Sequence, residues 1–420
     1  MRLQLTRRII LGNIAYLFSG TAITQGITAV TTILIARQLG PDIYGQYAAS
    51  LVLVSFTSVI FSLGLNTWLL HEASRNLQQH GGLLGSVLAI KILIGIPWLI
   101  ITYLLAGFLS SSTFPQEILF LSALVVLFDN IFSTLLTSFK VLFRNRITFI
   151  LMMGSDLLWM IGTIGLIYQK QEAVLIYIGL RAVTLLLSLM VAGWLAWRVI
   201  HPEVNIGTIK RALKASFSYA TSELLIMSSL RIDVLIVALV LGKQETGLYA
   251  PAVGIINAFF LPLSSISGVI LPILSNQFAY NEMHAWKTAK RSVWIFLVLG
   301  AGIAVMMGLG ARFITDILGS RYSSSQEIVQ ILSIILLIHA LILAMTNILI
   351  ATDQQGKRAI IQTATVVLSI VLDIIVVQRA GIRGAAWVYV ITEIFMLGGL
   401  TVLVIKFKTR LKEVIIHQHL

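Results

Sequence analysis

The chain has 420 residues, of which 58% are hydrophobic and 11% are charged, and its formal net charge is +13. Soluble domains contain about 25% charged residues, so this composition excludes an ordinary soluble protein and indicates a membrane protein. The absence of cysteine excludes disulfides, iron–sulfur clusters and thiolate metal sites.

Apolar runs follow one another along the chain, each about 20 residues or longer, as a hydrocarbon core of about 30 Å requires. We predict twelve spans, at 9–36, 47–70, 83–108, 117–139, 147–168, 173–198, 214–241, 248–275, 291–311, 328–350, 359–378 and 385–405. With a cytoplasmic N-terminus, most of the 30 lysines and arginines fall in cytoplasmic segments. This positive-inside bias predicts that both termini are cytoplasmic, and it explains the basic charge without a nucleic-acid partner.

The first span carries a polar stripe in which threonine and glutamine recur every three to four residues. Its members are Thr21, Thr24, Gln25, Thr28, Thr31 and Thr32. This spacing places them on one helix face, which points away from lipid. The stripe either forms hydrogen bonds to neighbouring helices or lines a hydrated cavity.

Ionisable residues lie inside several spans, where each costs at least ~2.5–3.5 kcal/mol and needs a partner, a cavity or a function. In chain order they are Lys91, Asp129, Asp156, Arg181, Glu223, Arg231, Asp233, Asp373 and Glu393. Arg231 and Asp233 are two residues apart, on different sides of one helix, so they do not pair with each other. For Lys91, snorkelling to the interface is an alternative to a cavity role.

A short sequence occurs twice, 202 positions apart: ARQLGPDIYGQYA at 36–48 and ALVLGKQETGLYA at 238–250. Repetition at half the chain length predicts two matching bundles. Six helices in each bundle give a parallel repeat about an axis along the membrane normal. We therefore expect an all-α protein with an N-terminal lobe at 1–200, a cytoplasmic linker at 201–213 and a C-terminal lobe at 214–420.

Enzyme signatures are missing from the sequence. It has no G-x-x-x-x-G-K-S/T, no H-E-x-x-H and no G-x-S-x-G, so it is neither an ATP-driven pump by itself nor a recognisable hydrolase. His339 is the only histidine well inside a span, where a hydrogen-bonded packing role is its ordinary interpretation. We expect a transporter without a cofactor or a metal site.

Four motifs in order resemble the polysaccharide-export branch of the multidrug/oligosaccharidyl-lipid/polysaccharide superfamily. They are the turn at 36–48, RIDVLIVALVLGKQETGLYAPA from Arg231, IATDQQGKR at 350–358 and GIRGAA at 381–386. The group most similar to them is the Wzx-type flippases. The resemblance implies two pseudo-symmetric six-helix lobes of the MATE-like kind around a central cavity, in the bacterial cytoplasmic (inner) membrane. It also implies alternating access and an oligosaccharide cargo linked to undecaprenyl diphosphate.

A flippase for this cargo needs a hydrated cavity and basic groups for the diphosphate, because guanidinium matches phosphate oxygens bidentately. Our candidates for substrate binding are Arg231, Arg181, Lys91, Gln25 and Thr28. Candidates for coupling to H⁺ or Na⁺ are Asp233, Glu223, Asp129, Asp156 and Asp373. The expected partners are the lipid-linked oligosaccharide, membrane lipids and the polysaccharide polymerase or export machinery, with a monomer as the transport unit.

Two alternatives remain open. A MATE-type antiporter would share the fold and exchange H⁺ or Na⁺ for a cationic drug or metabolite, although basic residues in the spans disfavour a cationic cargo. A membrane glycan polymerase or ligase usually has a large outer loop, which this sequence lacks. A major-facilitator transporter is disfavoured because the segment from His71 to Gly82 lacks the G-x-x-x-D-R/K pattern.

Overall fold

A computed structural model describes the backbone of residues 7–109, 111–280 and 282–418, and the side chains of 20–108, 111–280 and 282–409. Within these ranges the chain is helical and has no β-strand, which confirms the all-α prediction. The α-helices are α1 (Arg7–Thr57), α2 (Val59–Ser62), α3 (Leu65–Arg75), α4 (His80–Leu109), α5 (Gln116–Val141), α6 (Asn145–Tyr168), α7 (Val174–Val199), α8 (Ile206–Val240), α9 (Lys243–Ala258), α10 (Phe260–Tyr280), α11 (Glu282–Gly310), α12 (Ile314–Leu318), α13 (Ser323–Ala351) and α14 (Gln355–Gln418). Short 3₁₀ helices lie at Leu77–Gln79, Ala311–Phe313 and Ser320–Tyr322.

Two long helices are each interrupted at a glycine. Gly40 in α1 has φ 74° and ψ 169°, and Gly381 in α14 has φ 60° and ψ −152°. Glycine adopts positive φ without the steric penalty that a Cβ brings. Pro41 follows the first interruption and has no N–H to continue the hydrogen-bond ladder. α1 and α14 therefore each contain two helical segments, divided where the sequence predicts a loop between two spans.

Nine segments of the described residues are long and apolar enough to cross a membrane, and two of these contain the interruptions at Gly40 and Gly381. The second half of α8 holds three charged residues, and α8 is not among the nine. Ten of the twelve predicted spans lie within single helices to within one residue at their ends, whereas 47–70 is broken at Ser58 and at Leu63–Gly64 and 248–275 is broken at Phe259. The number of crossings stays a prediction.

Large apolar side chains on one face of α4 are exposed rather than packed. Leu93, Ile100, Leu104 and Phe108 recur at helical spacing and are 75%, 54%, 58% and 89% exposed. An apolar helix face of this length has no place in water, and lipid is its natural solvent. The protein is a multi-pass membrane protein.

The chain forms two compact units. The first ends at Ala238 and also includes Gly242–Gly247, and the second comprises Leu239–Leu241 and Leu248–Leu420. The division thus falls at the second copy of the repeated sequence. The lobes predicted at 1–200 and 214–420 stay a prediction.

Each unit has its own core. In the first, α1 packs on α5 and α6, and α5 packs on α4 and α7. The Phe61 and Trp98 rings meet there at 4.7 Å between centroids. In the second, α13 packs on α10, α11 and α14, around the buried side chains of Leu263, Phe296 and Ala340. The first arrangement is the one that positions the candidate site.

Candidate functional site

A cavity of about 260 Å³ lies inside the first unit, between α1, α5, α6 and α7. Its wall combines polar and apolar side chains: Thr24, Gln25, Thr28, Asp129, Phe132, Ser133, Leu136, Met152, Ser155, Asp156, Arg181 and Leu185. Five of the residues that the sequence singles out meet there, from four different helices. They are Gln25, Thr28, Asp129, Asp156 and Arg181.

Arg181 and Asp156 form an ion pair in the cavity wall. Nη1 of Arg181 donates to Oδ1 of Asp156 at 3.1 Å, and the two side chains are 16% and 11% exposed. The guanidinium carbon lies 4.5 Å from the centroid of the Trp159 ring, an attractive cation–π contact. These two contacts fix the guanidinium plane. Because a guanidinium has five N–H donors, the pair leaves donors for a ligand.

Asp129 lies in the middle of α5, yet its side chain is exposed where it lines the cavity. It has no hydrogen bond or ion pair within the described part of the chain, but it interacts electrostatically with Arg181, Lys91 and Arg231. The wall thus carries two carboxylates and one guanidinium. A ligand there meets both donors and acceptors, an arrangement that suits hydroxyl-rich or charged polar molecules.

Part of the polar stripe of α1 lines the cavity, and its later part forms hydrogen bonds within α1 rather than to neighbouring helices. Thr24, Gln25 and Thr28 line the cavity. The hydroxyls of Thr31 and Thr32 donate to the carbonyls of Ile27 and Thr28 on their own helix, each at 2.8 Å. The part of the stripe nearer the N-terminus therefore forms part of the cavity wall. The hydroxyls of the later threonines have their hydrogen-bond acceptors within α1.

Lys91 lies outside the cavity and is fully buried, so it does not snorkel to the interface. Its ammonium donates to Oδ1 of Asn130 at 2.7 Å and to Oδ1 of Asn66 at 2.9 Å. Asn66 in turn donates to the hydroxyl of Ser133 at 3.2 Å, and Ser133 lines the cavity. Lys91 is thus a buried cation one layer behind the wall.

The remaining predicted residues do not line this cavity. On α8, Glu223 is half-buried, Arg231 is exposed and Asp233 is buried. Asp373 lies in the second unit, on α14, where it is buried and accepts a hydrogen bond from Ser369 at 3.1 Å. Five of the ten candidates therefore share one site.

Three residues at or behind the cavity wall were not predicted from the sequence, namely Trp159, Ser133 and Asn66. A signal existed for the first two, because Trp159 lies one turn after Asp156 and Ser133 one turn after Asp129, on the same helix faces. Asn66 had no such signal. It reaches Lys91 from α3, and the pairing of α3 with α4 is a property of the fold.

Solved structures of transporters share this architecture. An inward-facing multidrug resistance MATE family transporter of the MOP superfamily aligns with a TM-score of 0.74 at 11% identity, over 93% of this chain and 95% of that chain. The lipid II flippase MurJ, in an inward closed conformation, aligns with a TM-score of 0.72 at 16% identity, over 92% of this chain and 87% of that chain. A MOP superfamily transporter from Pyrococcus furiosus aligns with a TM-score of 0.63 at 10% identity, over 95% of both chains. At such low identity these likenesses establish the fold and not the cargo.

The family of the chain follows from the match of its sequence to a family model. No curated protein matches the chain. The model of the family described as polysaccharide biosynthesis protein matches residues 10–278, which is more than half of the chain. With the fold of MOP superfamily transporters and this match, the chain belongs to the polysaccharide biosynthesis protein family.

Proposed function

We propose that the protein is a flippase that moves an oligosaccharide linked to undecaprenyl diphosphate across the bacterial cytoplasmic membrane by alternating access. The observation that carries the proposal is the polar cavity between membrane helices of a polysaccharide biosynthesis protein. A sugar diphosphate cannot cross hydrocarbon unaided, because every desolvated charge costs several kcal/mol or more. The polyprenyl tail never has to leave the hydrocarbon, so only the head group needs a hydrated route.

Different residues at the site suit different parts of the cargo head group. Arg181 keeps free N–H donors that suit a phosphate oxygen, and Arg231, which is exposed on α8 and does not line the cavity, offers a second guanidinium. Gln25, Thr28 and Asp129 can exchange hydrogen bonds with sugar hydroxyls. Lys91 does not touch the cargo in this proposal and adds positive potential from behind the wall.

The wider setting is part of the same proposal. Both termini would face the cytoplasm, and a monomer would be the transport unit. The cargo would be delivered to the polysaccharide polymerase or export machinery on the outer side. No cofactor is needed, and coupling to H⁺ or Na⁺ would use acids among Asp233, Glu223, Asp129, Asp156 and Asp373.

Reconstitution tests the function directly. Purified protein is placed in vesicles that carry a labelled lipid-linked oligosaccharide in both leaflets, and a glycan-cleaving enzyme is added outside. Without flipping, the labelled glycan of the inner leaflet, about half of the total, is protected from cleavage. A flippase moves this half to the outer leaflet, where the enzyme cleaves it. Protection as complete as in protein-free vesicles would contradict the proposal.

Asp129 favours one second candidate, a MATE-type antiporter. A carboxylate exposed in a cavity, without an ion-pair partner in the described part of the chain, also suits an organic cation. The same vesicles, loaded with a fluorescent cation and given a pH or sodium gradient, would release the dye if this reading is right. Dye release that is lost in Asp129→Asn, with no glycan flipping, would favour the antiporter.

A further inference from the structure

We propose that His339 and Glu393 form a proton-binding site in the second unit. Nδ1 of His339 on α13 lies 3.6 Å from Oε2 of Glu393 on α14. The Glu393 side chain is only 8% exposed and that of His339 is 22% exposed. The proposal rests on the proposed function, since it adds, beside the acids named above, a group in the second unit that couples transport to a proton gradient.

The facing atoms of this pair are short of hydrogen bonds. Nδ1 of His339 and Oε2 of Glu393 are both buried, and neither has a hydrogen-bond partner in the described residues. Their separation of 3.6 Å is beyond hydrogen-bonding distance. The imidazole stacks on the Phe260 ring, with 4.0 Å between centroids and 16° between planes. The stack fixes the ring's plane while its Nδ1 edge faces the carboxylate.

The helices that pack on α13 carry other ionisable groups, of which Tyr389 lies one helical turn from Glu393 on α14. α10 has none but Tyr280, its last residue, and those of α11 lie in its first ten residues. On α13 itself the other group is Glu327. The short helices before α13 carry Arg312, Asp316, Arg321 and Tyr322, whereas His339 lies about 24 Å along α13 from Ser323. On α14 the others are Lys357, Arg358, Asp373, Arg379, Arg383, Tyr389, Lys406, Lys408, Arg410, Lys412, Glu413 and His417.

Within the described residues Glu393 is thus the charged group at ion-pair distance from His339. With a neutral imidazole and an ionised carboxylate the pair has a net charge of −1, which is costly inside a membrane protein. Uptake of one proton from water converts the imidazole to imidazolium and brings the net charge to zero. It also makes Nδ1 a donor with a charged acceptor opposite, so the pair can close to a hydrogen-bonded distance.

The proton has a mechanical consequence because the pair joins two helices. When protonated, it holds α13 to the second segment of α14, and when deprotonated it loses that attraction. Histidine is the side chain that most often serves as a proton-controlled switch in proteins. A gradient can therefore bias the packing of these helices, which is the requirement for coupling.

Titration of the imidazole tests the site independently of transport. Protein labelled with ¹⁵N-histidine is studied by NMR in lipid nanodiscs, and the His339 signal is assigned by its loss in His339→Gln. We expect this signal to report protonation of the imidazole as the pH is lowered, and we expect that response to change in Glu393→Gln, which keeps the side-chain shape. A signal that does not titrate, or that Glu393→Gln leaves unchanged, would overturn the proposal.

The flipping assay then tests coupling. A pH gradient should accelerate the wild type and His284→Gln, an exposed histidine of the same unit, but neither His339→Gln nor Glu393→Gln. Acceleration that persists in a correctly inserted Glu393→Gln variant would contradict the coupling role. If the wild type flips no glycan, the proposed function fails, and the titration still decides whether the pair binds a proton.

Discussion

Gly45 and Gly247 each pack against the other copy of the repeated turn. A Cβ on Gly45 would overlap the carbonyl oxygen of Lys243, and a Cβ on Gly247 would overlap the carbonyl oxygen of Pro41. The contacts are equivalent, because Pro41 and Lys243 are separated by the same 202 positions as the two glycines. Nζ of Lys243 also pairs with Oδ2 of Asp42 at 2.9 Å. The two copies are therefore matched partners in one contact, and close backbone approach requires the glycines.

This contact predicts that Gly45→Ala and Gly247→Ala each destabilise the protein by about 1–3 kcal/mol, the usual cost of forcing a methyl group into a filled space. Thermal unfolding of the purified protein measures it. Gly254→Ala, on the same helix as Gly247, is the control, because a Cβ there meets no atom within 4 Å. Equal stability of all three variants would contradict the packing argument.

Arg181→Ala should lower flipping by roughly tenfold or more, because a hydrogen bond to a charged group is worth about 1.5–3 kcal/mol. Membrane insertion should persist, and export of surface polysaccharide should be lost. Arg198→Ala is a matched control, since Arg198 also lies over a tryptophan, at 4.1 Å from the ring centroid of Trp194, but is exposed. Normal surface polysaccharide in Arg181→Ala cells would contradict a role in cargo binding.

Lys91→Met should reduce stability more than a surface lysine substitution does. It removes the ammonium that donates to the side-chain oxygens of Asn66 and Asn130. The Asn66 oxygen still accepts from the Thr134 hydroxyl at 2.8 Å, whereas the Asn130 oxygen loses its donor, and an unsatisfied acceptor costs about 1–3 kcal/mol. The comparison is with Lys214→Met, which removes an exposed lysine of α8. Thermal unfolding curves that coincide for the two variants would show that the buried network contributes nothing.

Gly381→Ala should destabilise the protein by about 1–2 kcal/mol through backbone strain alone. Gly381 has φ 60°, and a Cβ there meets no atom within 4 Å, so crowding is not the cause. Gly398→Ala, also on α14 and also open, has an ordinary helical φ and should be neutral or slightly stabilising. The difference between the two unfolding midpoints measures the strain, and its absence would mean that the interruption can relax.

Much of the site could be predicted from the sequence because charge inside an apolar span is costly wherever the span lies. That rule identified Asp129, Asp156 and Arg181, and helical spacing added Gln25 and Thr28. It could not separate cavity residues from buried ones. Lys91 satisfied the same rule and lies behind the wall, held by two asparagine side chains.

The sequence by itself determined the class of the protein and its repeat, since composition and apolar periodicity follow from the solvent that a helix faces. It also marked the residues that need a special environment. Only the tertiary structure decided which of these side chains pair with each other: Arg181 with Asp156, Lys91 with Asn130, and His339 with Glu393. The physical reason is that the polar and apolar faces of a membrane helix follow from the local spacing of its residues. Its partners depend instead on packing between helices that are distant in the chain.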